Sequence, residues 1–152
     1  MAVYQVVTSP DPVLAQKAEP VANINQGVRR VLDNMRDTLI AAEGVGLAAP
    51  QIGISKRMIV VDMGDNVVEL INPEIMDQEG EQLGTEGCLS IPGLVGWVRR
   101  AQKVHVKGLN REGETVQFEA TDLIARCFQH EIDHLEGILF TDKAIKTKRE
   151  SD

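Results

Sequence analysis

Gln129-His130-Glu131-Ile132-Asp133-His134 is the stretch of this chain whose residue types and spacing can do chemistry. Two histidines four apart on a helix lie on one side, a turn from each other. Both imidazoles can then reach one metal ion. Glu131, between them, can lie beside a metal-bound water and take its proton, the H-E-x-x-H arrangement of a metal-dependent hydrolase. His130 and His134 are two of only three histidines in the chain. The plainer alternative is a surface helix that happens to carry two histidines.

A catalytic metal usually keeps three protein ligands and one open position. The metzincin extension would need a third histidine six residues after His134, but Phe140 stands there. A thermolysin-like site would need a downstream glutamate, and Glu136 and Glu150, the only glutamates after His134, are poorly placed. The third ligand must come from upstream, where His105, Cys88, Cys127 and assorted carboxylates are the candidates. His105 alternates with Val104 and Val106 and reads as a sheet-face histidine. Cys127 shares the helix face of His130, but it lies about 10.5 Å along the axis from His134. One ion can hardly serve both, so Cys127 reads as a small buried hydrophobe behind the site. Cys88 follows Gly87, which lets the chain bend and the thiolate approach from another direction. A Cys88, His130, His134 site with an open fourth position results.

These residues need a frame. A chain of 152 residues, 43% hydrophobic and 26% charged, reads as one soluble globular domain over 1–152. Aromatic residues are only 3%, so the core must rest on aliphatic side chains. A net charge of −7 argues against general nucleic-acid binding. No apolar run is long enough to span a membrane and the start does not read as a secretion signal. Two cysteines are too few for a disulfide framework, so a cytoplasmic location is the expectation. Pro10, Pro12 and Pro20 make the first 20 residues an extended wrap around the body. Val28, Val31, Leu32, Met35 and Leu39 recur at helical spacing and predict an amphipathic helix over Asn25 to Glu43, with Asn25 as cap and Gly44 as stop. Arg57 to Asp62 and Val67 to Ile71 read as paired strands. Gly80 to Gly96 reads as irregular, and Val98 to Leu109 and Glu114 to Ala120 as a hairpin. Thr121 is placed to cap a helix that runs to about Glu136, ends at Gly137 and carries the metal motif. Lys143 to Asp152 reads as a solvated basic tail. The order predicts an α+β domain, with antiparallel sheets packed around the central helix that carries the HEIDH motif.

Three segments, Gly44-Val-Gly-Leu-Ala-Ala-Pro-Gln-Ile-Gly53, Glu86-Gly-Cys-Leu-Ser90 and Gln129-His-Glu-Ile-Asp-His134, together with Ser9-Pro-Asp-Pro-Val-Leu14, resemble peptide deformylases. The resemblance covers nearly the whole chain. It implies a hydrolase that removes the N-formyl group from the initiator methionine of nascent polypeptides, with release of formate. Cys88, His130 and His134 would hold the metal, usually ferrous iron, with zinc, nickel or cobalt as substitutes. Metal-bound water would attack the formyl carbon, with Glu131 as general base and then acid. Gln51 would offer its amide, and Leu89 its backbone N–H, to the oxyanion. Gly46 suits a peptide bound as an added strand. Val45, Leu89, Leu123 and Cys127 are candidates for the methionine pocket. Asp133 reads as an ion-pair partner of Arg99 or Arg100. Arg126 stands where relatives often carry an aliphatic residue. Formyl-Met nascent peptides are the implied partners, with the ribosome near its exit tunnel as a further one through Lys143 to Arg149. No membrane, no sequence-specific nucleic acid and a monomeric state are expected. The rival readings are a metallopeptidase and a non-catalytic relative on the same fold.

Overall fold

The structure, a computed structural model, describes residues 3–150. Its first long element follows the spacing of the apolar residues: α1 is Gln26–Ala41, and the Asn25 side chain caps it by accepting the Val28 N–H at 3.0 Å. The strands are β1 (Gly46–Ala48), β2 (Met58–Asp62), β3 (Val67–Glu79), β4 (Gln82–Cys88), β5 (Ile91–Arg100), β6 (Lys103–Leu109) and β7 (Thr115–Thr121). The helix α2 (Asp122–Leu135) bears the metal motif, and α3 (Phe140–Lys143) and β8 (Lys146–Arg149) follow it.

All strand pairs are antiparallel, in a five-stranded sheet ordered β1-β2-β3-β6-β7 and a three-stranded sheet ordered β4-β5-β8. The larger sheet is covered on both faces. Met58 and Val60 pack with Leu32, Met35 and Leu39 of α1, whereas Ile59 and Val61 pack with Ala125, Phe128 and Ile132 of α2. Successive strand residues point to opposite faces, so a strand buried on both sides must be apolar there, as β2 is from Met58 to Val61. The expected α+β architecture around a central motif helix is the one found.

Several local expectations are corrected. Residues 80–96 are not irregular: they form most of the β4–β5 hairpin. Some glycines there admit neighbours rather than turn the chain. A Cβ on Gly84 would stand 3.0 Å from Arg126 Nη2, and one on Gly96 2.9 Å from the Phe140 ring. The expected strand from Val98 to Leu109 is two strands, because the chain passes from one sheet to the other at Ala101 and Gln102. The Gln129 amide fixes that crossing, accepting from Ala101 N–H at 2.9 Å and donating to its carbonyl at 3.0 Å. Gly44 is not the residue that turns α1. Glu43 takes the left-handed conformation (φ +54°), while a Cβ on Gly44 would stand 3.0 Å from Leu39. Thr121 is the N-cap of α2 by position, without a side-chain capping bond. Gly137 does turn the chain after α2 (φ +75°), and a Cβ there would be 2.7 Å from the Ala15 carbonyl. The basic segment after α3 is no loose tail, since β8 pairs with Leu94–Trp97 of β5. No helix among the described residues is long and apolar enough to cross a membrane.

The N-terminal segment wraps as its prolines imply. Val7 N–H donates to the Gln51 carbonyl at 2.7 Å and Ser9 N–H to the Ser90 carbonyl at 2.8 Å. It thereby stitches together two of the three segments singled out in the sequence.

Candidate active site

α2 sets the two imidazoles one above the other, with ring centroids 5.0 Å apart. The end of β4 brings Cys88 in from the side, and its Sγ lies 3.4 Å from His134 Nε2. The ligand atoms of Cys88, His130 and His134 all lie within 4.8 Å of one another, the one such group among the described residues. Cys127 does not join it. Burial, helped by the Glu131 charge, pushes that thiol well above its ordinary value, so it stays protonated. His105 lies on β6 and bonds Gln117 of β7 at 2.6 Å, as a sheet-face histidine would.

Sequence reasoning missed the role of Glu86. This buried carboxylate meets His130 Nδ1 at 2.8 Å, Arg100 through two bonds of 2.8 Å, and Arg126 Nη1 at 2.5 Å. Burial alone would raise its pKa, but the bonds from Arg100 and then His130 outweigh that and hold it far below the usual carboxylate range. Its bond occupies Nδ1 and leaves Nε2 of His130 for a metal. Arg100 also meets Asp133 at 2.5 Å, and Lys143 reaches the same carboxylate at 3.0 Å. Arg99 instead pairs with Glu81 at the surface. Arg126 is turned inward to Glu86 and the Val98 carbonyl. Recognising β4 as a strand would have been the signal, since Glu86 precedes Cys88 by two.

Gln51 is buried and its amide is oriented. Oε1 accepts from Ala48 N–H at 2.9 Å, and Nε2 donates to Ser90 Oγ at 3.2 Å beside Cys88 Sγ at 3.6 Å. Leu89 sits in the turn between β4 and β5. A cavity of about 490 Å³ opens here, lined on its apolar side by Val45, Gly46, Leu89, Leu123 and Cys127, with His130 and Glu131 also in its lining. Val45 and Leu123 are exposed apolar side chains at its mouth. Gly46 must be glycine, because a Cβ would stand 2.6 Å from Cys127 Sγ and 2.8 Å from Glu131 Oε2.

Glu131 is buried and its Oε1 has no hydrogen-bond partner. Burial lifts its pKa to about 7, against the opposing pull of His130. Burial and the charge on His130 push His134 down to about 3, so its imidazole is neutral. Burial would also lower His130, but bonds to Cys88 and Glu86 and the Glu131 charge push it up to about 10. Two carboxylates, Glu86 and Glu131, thus act on His130, whereas His134 is held as a neutral imidazole, the form that binds a metal. One thiol, two imidazoles and a carboxylate beside an open side fit a three-ligand catalytic metal centre.

Residues 3–150 match the family model for polypeptide deformylase. The chain belongs to the polypeptide deformylase family. It is 69% identical over 150 residues to a peptide deformylase of Syntrophomonas wolfei, covering 99% of each chain. It is 58% identical over 149 residues to one of Desulfitobacterium hafniense, covering 98% of this chain and 99% of that one. The crystal structure of the Thermotoga maritima peptide deformylase superposes with a TM-score of 0.91 at 39% identity, over 95% of this chain and 99% of that chain. The chain is accordingly a deformylase of N-terminal methionine processing, a hydrolase that depends on a metal, as the sequence resemblance implied.

Proposed function

We propose that deformylation is carried out by Glu131, Gln51 and Leu89 around one divalent ion held by Cys88, His130 and His134. The observation that carries this reading is the buried Glu131 carboxylate, with an unpartnered oxygen, beside three ligand atoms within 4.8 Å of one another. A bound divalent ion supplies a Lewis acid that polarises the formyl oxygen and lowers the pKa of a nearby water. Glu131, buried with an unpartnered oxygen beside the three ligand atoms, takes the proton of the attacking water and returns it to the leaving nitrogen. The formyl C–N bond breaks, formate departs and the methionine amine is freed. Negative charge on the formyl oxygen in the transition state is met by Gln51 Nε2 and the Leu89 N–H. One such donor is typically worth about 3 kcal/mol. Val45, Leu123 and Cys127 take the methionine side chain, and Gly46 lets the peptide backbone approach. The whole chain acts as one catalytic domain.

Ferrous iron is the metal we assign, with zinc, nickel or cobalt able to replace it. Thiolate plus imidazole suits all four. The substrates are formyl-Met nascent peptides in the cytoplasm, met by a monomer near the ribosomal exit tunnel, with the basic β8 as the face toward the ribosome. Loss of ribosome co-sedimentation on reversing the charges of Lys146, Lys148 and Arg149 would support that contact, and unchanged co-sedimentation would remove it.

The main test is formate release from a formyl-Met tripeptide by protein purified without oxygen, with metal content measured alongside. Activity with about one metal per chain, falling by roughly 10²- to 10⁴-fold in Glu131→Ala, is the expected outcome. A full metal complement without formate release would shift the reading to a peptidase or a non-catalytic relative.

A further inference from the structure

Among the residues that line the active-site cavity, Glu150 is the exposed charged one, and it has no partner among the described residues. Glu86 and Arg126 also line it, but both are buried and paired with each other at 2.5 Å. Glu131 is buried within the site. Glu150 is exposed, and among the described residues its carboxylate makes no hydrogen bond or ion pair. Its backbone is nevertheless fixed. β8 pairs with β5 up to Arg149 opposite Leu94, and the Glu150 N–H then donates to the Gly93 carbonyl at 2.9 Å. Pro92 and Gly93, its neighbours across that bond, line the same cavity. The pairing of β8 therefore places Glu150, unpaired among the described residues, on an anchored backbone beside the cavity.

We propose that Glu150 is a specificity-determining residue that favours substrates with a lysine or arginine shortly after the formyl-methionine. The inference rests on the deformylase reading above. With the methionine held at Val45, Leu123 and Cys127, the rest of the peptide must leave past the rim. An extended peptide rises about 3.3 Å per residue and alternates the direction of its side chains. A carboxylate fixed at one point therefore meets one downstream position and not its neighbours. That separates Glu150 from the general attraction of cations by a chain of net charge −7, which acts on a lysine at any position. A pair formed in solvent contact changes affinity by about two- to fivefold and weakens as salt rises.

The test compares kcat/KM for a neutral formyl-Met peptide with peptides carrying lysine or glutamate at the second, third or fourth position, each ratio taken to the neutral peptide. Wild-type protein at low ionic strength is expected to prefer lysine over glutamate about two- to fivefold at one position. The preference is expected to disappear at that position in Glu150→Gln, reverse in Glu150→Lys, and shrink in the wild type at high salt. A lysine preference equal at all three positions, or one that persists in Glu150→Gln, would overturn the assignment and leave only long-range attraction. No formate from the neutral peptide would overturn the deformylase reading and this inference with it. Formate release without charge discrimination would overturn the inference alone.

Discussion

Glutamine in place of Glu86 is expected to separate the charge of this carboxylate from its hydrogen bond to the metal site. In the wild type, Glu86 neutralises two guanidinium groups whose side chains are 2% and 6% exposed, Arg100 and Arg126. Arg100 keeps Asp133 at 2.5 Å after the substitution, so it remains paired. Arg126 keeps only neutral acceptors, the Val98 carbonyl and Gln82 Oε1. One uncompensated buried charge is therefore the dominant cost, about 3–5 kcal/mol of unfolding free energy. The glutamine carbonyl can still accept from His130 Nδ1, so metal affinity is expected to stay near that of the wild type. Glu86→Ala removes that acceptor too and is expected to lower metal affinity by about 10- to 100-fold. Urea unfolding gives the first quantity and chelator competition the second. Removing the stranded charge as well, in Glu86→Gln with Arg126→Met, is expected to recover more than half of the lost stability. The reasoning is refuted if Glu86→Gln loses less than about 1 kcal/mol, well below the range for an unpaired buried charge. It is also refuted if the double variant is as unstable as the sum of the two single ones.

Three further outcomes follow from the same geometry. Gly46→Ala forces a methyl group against Cys127 Sγ and the Glu131 carboxylate; formate release is expected to fall at least about tenfold, with a stability loss of about 1–3 kcal/mol, and unchanged kcat would show that Glu131 can move freely. Burial would raise the pKa of Glu69, but the hydrogen bonds from Arg111 and Arg36 on either side outweigh it and hold the carboxyl below its ordinary value. A depressed carboxylate stabilises the fold above its unfolded pKa and loses that contribution as the pH falls through the folded one, so the deficit of Glu69→Gln, about 2 kcal/mol at pH 7, is expected to contract on acidification below pH 4.5, and a pH-independent deficit would contradict it. Metal binding to Cys88, His130 and His134 is expected to stabilise the native state by about 2.7 kcal/mol at a free metal concentration of 100 Kd, read as a Tm rise that disappears in Cys88→Ala; an equal rise in that variant would place the metal elsewhere.

The part of the site written along one element was legible in the sequence. His130, Glu131 and His134 share a helix, and the i, i+4 relation that joins them is a local property of helical geometry. α1 was legible for the same reason, with its cap at Asn25. Cys88 came from the lack of a suitable downstream ligand and from the bend that the preceding Gly87 allows. Glu86, Arg100, Arg126 and Asp133 were not legible as a unit, because they come together from β4, β5 and α2 only once the sheets have paired. Gly84 and Gly96 looked like breaks because the side chains that need the missing Cβ, Arg126 and Phe140, lie more than 40 residues away in the chain. The final basic residues looked like a tail because a short polar segment becomes a strand only when an edge such as β5 accepts it. Periodicity and capping act within one turn or one strand, so the sequence alone determined which element carries the metal motif. Strand pairing and buried charge balance act between distant segments, so only the tertiary structure decided what holds Cys88, His130 and His134 in place and what lines the way in.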